Sequence, residues 1–339
     1  MAVGMVIDWI STRLRSAGSR SRLLSLGVLV LVIGLVLLFG SAISEWYQLN
    51  SMVLRQSLVS GLLIGGVYGL VAMGLTLIFG VLGIINFAHG ALMAMGMYVT
   101  YFAFAILGLD PYASIVLSVP ALFLVGAAIQ YLIVSRTMDA LAHNQLLLTL
   151  GIAIFLENAY LVFFTADPRA VQVPYSGARL YLAETMISMP RVFAFMAGLA
   201  LAGLLYLLLK HTRLGKAIRA AAEEREGSAL VGINVSRINT ITFGLGTAVA
   251  GAAGSLIMPF FTVTPTTGDT FNITAFVIVV LGGMGNVPGA LVGGLIIGVT
   301  EALGALFLPG SSKQLGVFIV FILTLLFRPS GLFGGKRNA

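Results

Sequence analysis

The sequence predicts an all-α integral membrane protein, a polytopic helical bundle of about 8–10 spans with broken, Gly-rich helices. Three observations predict it. Of 339 residues, 59% are hydrophobic and 9% are charged, where an average soluble domain carries about 25% charged residues. Apolar stretches long enough to cross a bilayer recur along the whole chain, and the mean hydropathy is +1.04. The basic residues gather at the N-terminus, in one central loop and at the C-terminus, as expected of cytoplasmic segments that flank spans.

Residues 1–22 carry Arg13, Arg15, Arg20 and Arg22 and read as a cytoplasmic N-terminal segment. Leu23–Gly40 is an uninterrupted apolar run. It is longer than the apolar core of a signal peptide, roughly 7–15 residues, so a retained span is the first reading. Ala42-Ile43-Ser44 keeps cleavage open as the second. A transmembrane domain then runs to residue 327, with apolar stretches near 55–80, 84–107, 112–134, 146–164, 192–209, 238–260, 273–307 and 314–327. The stretch 273–307 exceeds one ordinary span and is interrupted by Gly282-Gly283-Met284-Gly285-Asn286-Val287-Pro288-Gly289. Two helices are expected there, the first short. Residues 328–339 form a tail with Arg328, Lys336 and Arg337.

Loop 210–237 holds Lys210, Arg213, Lys216, Arg219, Arg225 and Arg237. Both this loop and the tail read as cytoplasmic. Segment 165–191 mixes Asp167, Arg169, Arg179, Glu184 and Arg191 and suits the outer side. An even number of spans satisfies all these placements.

Several function classes drop out. The chain has no cysteine, which excludes disulfides, thiolate metal sites and cysteine nucleophiles. His89, His143 and His211 are scattered and do not have metal-ligand spacing. Neither a metal nor a cofactor is expected. The net charge of +7 follows the spans and does not call for a nucleic acid. Gly331-Leu332-Phe333-Gly334-Gly335-Lys336-Arg337 has the wrong spacing for a P-loop and lacks its Ser or Thr. No Gly-x-Ser-x-Gly elbow or His-Glu-x-x-His is present, so no enzyme is indicated.

Glu157 and Glu301 are the clearest charges within apolar stretches. Intramembrane carboxyls mark a pathway, a relay or a pair, and the alternative is a position near a helix end, bonded to backbone or Ser/Thr. Asn86, His89, Gly283, Gly285 and Asn286 sit in two Gly-interrupted regions. Non-helical backbone at membrane depth lines a cavity or is buried in protein, so these residues either face a translocation path or cap broken helices. The regions share a faint echo: Leu82-Gly83 precedes Gly90-Ala91-Leu92 as Leu281-Gly282 precedes Gly289-Ala290-Leu291. Small residues recur every fourth position at Ser57, Gly61, Gly65 and Gly69, and at Gly246, Ala250 and Gly254. Such stripes let helices approach closely, inside one protomer or across a subunit interface. In loop 210–237, Ala, Glu, Lys and Arg favour helix and Gly232 suits a stop. The segment is either a docking helix or a solvated connector.

Gly80–Gly90, Arg219–Asn234, Leu281–Ala290 and Arg328–Gly334 together resemble the permeases of bacterial ABC importers for branched-chain amino acids, within the group importing hydrophobic amino acids and amides. The likeness spans roughly residues 55 to 335. It implies a permease subunit in the bacterial inner membrane with both termini cytoplasmic. Its implied partners are two ATPase subunits, a related second permease or second copy, a periplasmic substrate-binding protein and the surrounding lipid. It further implies that loop 210–237 couples to the ATPase through Arg219, Ala221, Ala222, Glu223, Ala229, Leu230 and Gly232. The order Ala221-Ala222-Glu223 departs from the Glu-Ala-Ala of that coupling motif. An ion-gradient-driven secondary transporter or channel is the alternative.

Overall fold

The computed structural model describes residues 51–138, 140–182, 185–307 and 314–334. Leu23–Gly40, the cleavage alternative at Ala42-Ile43-Ser44, the N-terminal arginines, Glu184, Lys336 and Arg337 lie outside them. Eleven helices follow in order: α1 Ser51–Leu82, α2 His89–Leu107, α3 Ile115–Leu132, α4 Ala142–Phe164, α5 Met189–His211, α6 Arg213–Glu223, α7 Arg225–Leu230, α8 Val235–Ile257, α9 Thr267–Gly282, α10 Val287–Phe307 and α11 Gln314–Phe327. Seven are long and apolar enough to cross a membrane, and α9 and α11 are shorter apolar helices. A hairpin pairs β1 Arg179–Leu182 with β2 Thr185–Ser188 antiparallel. The architecture is the expected helical membrane bundle, and the long stretch after residue 267 divides into a short and a long helix as anticipated.

Helix α1 is the axis. At about 1.5 Å per residue its 32 residues reach roughly 48 Å, more than the ~30 Å of hydrocarbon. It packs on α10, α8, α5 and α9. Lipid is as apolar as leucine, so close van der Waals contact, not hydrophobic force, must hold spans together. The small-residue stripes supply that contact. A Cβ built on Gly65 would lie 2.8 Å from the Gly294 carbonyl, and one on Gly298 would lie 2.4 Å from the Gly65 Cα. Gly74 and Gly246 seat α1 on α8, and Gly254 seats α8 on Met93 and Met97 of α2. Both stripes therefore pack inside the protomer. Hydroxyls add a polar tie across α2, α3 and α8: Thr100 donates to Ser255 (2.8 Å) and Ser118 bonds Ser255 (2.7 Å), with all three buried.

Successive spans alternate in direction, which sorts the joints onto two faces. Residues 108–114, 165–188 and 258–266 share one. Arg169 and Val263 exchange backbone hydrogen bonds there at 2.9 Å. The Tyr112 hydroxyl donates to the Pro190 carbonyl (2.7 Å), and Tyr175 donates to Asp110. Burial, reinforced by that bond, pushes the Tyr175 hydroxyl up and keeps it a donor. Residues 83–88, 133–141, 212–234, 283–286 and 328–334 share the opposite face, tied by Leu332 N–H to the Leu281 carbonyl (2.7 Å) and by the Gly80–Gly285 approach. Loop 210–237 and the tail thus lie opposite segment 165–191, as the charges require.

Candidate functional site

The two Gly-interrupted regions differ in depth. Helix α1 ends at Leu82, and Gly83 turns the chain at φ +73°. Residues 84–88 are not helical, although they belong to an apolar stretch expected to run as one span from residue 84. Asn86 Oδ1 accepts from the Ala88 N–H (3.1 Å), and His89 Nε2 donates to the Val71 carbonyl (3.0 Å). Val71 lies eleven residues before the end of α1, so α2 begins roughly 16 Å inside the bundle. At that depth the first turn of α2 meets the first turn of α9. The Gly90 N–H donates to Asn272 Oδ1 (3.3 Å), and a Cβ on Gly90 would press into the Gly268 carbonyl. Two helices thus start against each other inside the membrane, a construction used where non-helical backbone borders a cavity.

Asn86 and His89 are 1% and 0% exposed. They sit inside the protomer and position the start of α2. Their Nδ2 and Nδ1 atoms have no protein partner.

The second break is a tight turn at the opposite end of α9. Gly283 and Gly285 have φ of +98° and +88°. Asn286 Oδ1 caps α10 by accepting from Gly289 N–H (2.9 Å), and its Nδ2 donates to the Phe333 carbonyl (2.8 Å). The tail closes over this turn: a Cβ on Gly283 would lie 2.6 Å from Gly334 N, and Arg328 Nη1 holds the Leu332 carbonyl (2.9 Å). Gly283, Gly285 and Asn286 therefore belong to a packed turn at the 210–237 face. The sequence echo does not carry into equivalent geometry. Gly90 packs on the start of α9 and Gly289 on its end.

Both intramembrane glutamates lie beside polar side chains of other helices. Glu157 on α4 lies beside Asp269 in the first turn of α9. Glu301 on α10 lies near the Tyr68 hydroxyl, with Arg191 close by. Neither partner was singled out from the sequence. The start of α9 falls six residues before the apolar stretch that begins at 273, so Asp269 read as loop.

Loop 210–237 folds into α6 and α7. Thr212 caps α6 by accepting from Gly215 N–H (2.9 Å), and Gly215 sits so close to α5 that a Cβ would lie 2.3 Å from the Leu208 carbonyl. Gly215, Ile218 and Ala221 turn inward, at three-residue spacing. Arg219 and Glu223 turn outward and Ala222 is half-buried. The α7 end is a Schellman motif: Ile233 N–H reaches the Ser228 carbonyl and Gly232 N–H the Ala229 carbonyl, both at 3.0 Å, with Gly232 at φ +88°. Ala229 is exposed, and beyond it Leu230 and Val231 project at 89% and 76% exposure. This apolar tip outside the spans is unlike a solvated connector.

The family model described as the permease component of branched-chain amino acid transport systems matches residues 57–327. The high-affinity branched-chain amino acid transport system permease protein BraD of Pseudomonas aeruginosa is 34% identical over 299 residues, covering 82% of this chain and 95% of that protein. The LivH permease proteins of Salmonella typhimurium and Escherichia coli are each 33% identical, with the same coverage. No solved structure is a significant match.

Proposed function

This chain belongs to the family of permease components of branched-chain amino acid transport systems, and from that premise we propose that it is the membrane subunit of an ATP-driven importer of branched-chain amino acids or closely related metabolites. The observation that carries this reading is the α6–α7 element. It is braced inward by Ile218 and Ala221 against the spans and ends outward in an exposed Leu230–Val231 tip. An apolar tip on a water-exposed loop fits the groove of a partner protein. Within the proposal, Arg219, Glu223, Ala229, Leu230 and Gly232 form the contact surface for an ATPase subunit, and Ala221 and Ala222 hold α6 in place. A substrate-binding protein delivers the amino acid to the 165–191 face, and a second permease subunit completes the path. The chain resides in the bacterial inner membrane with the 210–237 face and the tail in the cytoplasm, a sidedness supported by their basic residues. The paired carboxyls Glu157 and Asp269 favour a second reading, transport coupled to a proton gradient.

The test is leucine uptake into proteoliposomes holding this chain with its permease, ATPase and binding-protein partners. The proposal expects uptake that requires ATP and falls at least tenfold in Leu230→Asp, a change at an exposed site that leaves the fold intact. Uptake driven by a pH gradient without ATPase overturns it and selects the second reading.

A further inference from the structure

Five polar side chains lie at a depth where a membrane protein's outer surface should be apolar. Glu157 is half-buried and Asn158, its neighbour on α4, is exposed; Asp269 and Thr270 on α9 are exposed and Asn272 is half-buried. Their depth follows from contacts already described. Gly268 touches Gly90, and Gly90 adjoins His89, which bonds Val71 near the middle of α1. The Tyr160 hydroxyl, one turn from Glu157 on α4, donates to the Ala91 carbonyl (2.9 Å). Glu157 and Asp269 therefore lie roughly 16 Å inside the end of α1.

Two carboxyls in contact at that depth are costly, because each prefers water and each disfavours the other's charge. The cost is modest only if water reaches them. The start of α9 does not solvate the outward side of Asp269. Elsewhere the lateral surface is of ordinary lipid-facing kind: Leu204 on α5 and Ile322 on α11 are 64% and 61% exposed.

We infer that the α4–α9 surface carrying Glu157, Asn158, Asp269, Thr270 and Asn272 is a wall of the water-filled translocation path and not a lipid contact. This rests on the transport reading above and locates the path within it. The path runs outside the protomer's packed core, past the facing starts of α2 and α9, with the second permease subunit as its far wall. Its lining here is acidic, which suits the ammonium end of an amino acid passing by.

The chain has no cysteine, so single thiols can be introduced without background. Thr270→Cys and Asn158→Cys, on two different helices, are placed in the assembled transporter in proteoliposomes. Leu204→Cys and Ile322→Cys serve as lipid-facing controls. A membrane-impermeant, positively charged methanethiosulfonate is applied with and without ATP. Only ionised thiols in water react. The inference expects modification of both path positions in at least one condition, at rates about 100-fold above the controls. It also expects faster reaction than with a negatively charged reagent, because of the neighbouring carboxyls. Protection of Thr270→Cys and Asn158→Cys equal to that of the controls, in vesicles that still import leucine with ATP, overturns the inference and leaves the transport reading standing. Labelling without ATP-driven uptake retains the water-lined wall and removes the ATP-driven reading.

Discussion

Replacing Gly294 with alanine tests the packing that holds the bundle together. A helical glycine changed to alanine gains roughly 1 kcal/mol in propensity where nothing touches it. At Gly294 the added Cβ would lie 2.3 Å from both the Cα and the N of Gly69 and 2.8 Å from the Gly65 carbonyl. Carbon atoms sit best about 3.5–4.0 Å apart, so relief requires α1 and α10 to separate by about 1.2–1.7 Å. Backbone atoms cannot rotate aside as a side-chain end would. The seam is also long, running from Gly61 against Gly298 to Gly80 against Gly285, so a local wedge loosens contacts along its length. Overpacking of this kind costs about 1–3 kcal/mol, and rigid backbone at 2.3 Å puts Gly294 toward the upper end, above the propensity gain. The assay is thermal unfolding in mild detergent, followed as loss of the monodisperse peak. Gly151→Ala is the control, since a Cβ there meets nothing within 4 Å. Gly294→Ala should melt several degrees below wild type, and Gly151→Ala at or slightly above it. If the two variants melt together, the α1–α10 contact is not as close as described and the stripe does not pack inside the protomer.

Two further outcomes follow from named contacts. Ser255→Ala removes the hydroxyl shared by Thr100 and Ser118 and should cost about 0.6–2 kcal/mol, measured in the same melt. Val at this position, larger and equally apolar, should cost more because Ser255 is fully buried. Asn286→Ala removes both the α10 cap and the bond to the Phe333 carbonyl. It should cost about 1 kcal/mol and make residues 328–334 cleavable by protease at a rate the wild-type chain does not show.

The sequence made the bundle legible because lipid imposes a simple rule: a span must be long and apolar, and its backbone must bond to itself. The same rule explains why residues 84–88 read both as part of an apolar stretch and as a Gly-interrupted break. Ile84 and Ile85 continue the apolar composition of a span, yet Gly83 has already ended α1, and α2 starts only where His89 can reach Val71. Composition records what lies in the membrane, not whether it is helical. The glycine stripes were visible as stripes, but whether they face a neighbouring helix or a neighbouring subunit depends on which helices pack in space, and only the Gly65–Gly294 and Gly74–Gly246 contacts decide it.

The path residues show the opposite limit. Asn86, His89 and Asn286 stand out in sequence because they are polar among glycines, and glycine-rich breaks are where a site is expected. In the structure those side chains serve the breaks themselves. Asn86 closes the turn before α2, Asn286 caps α10, and His89 ties the start of α2 to α1. A broken helix leaves backbone groups that water cannot reach, and the nearest polar side chains are used to satisfy them. The groups proposed to meet a passing solute come from elsewhere: Glu157 from an otherwise unbroken helix, and Asp269 from a helix start hidden in an apparent loop. A lone carboxyl in an apolar run and a carboxyl just before one are separated by 112 positions in sequence, and only the meeting of α4 with the first turn of α9 makes them a pair.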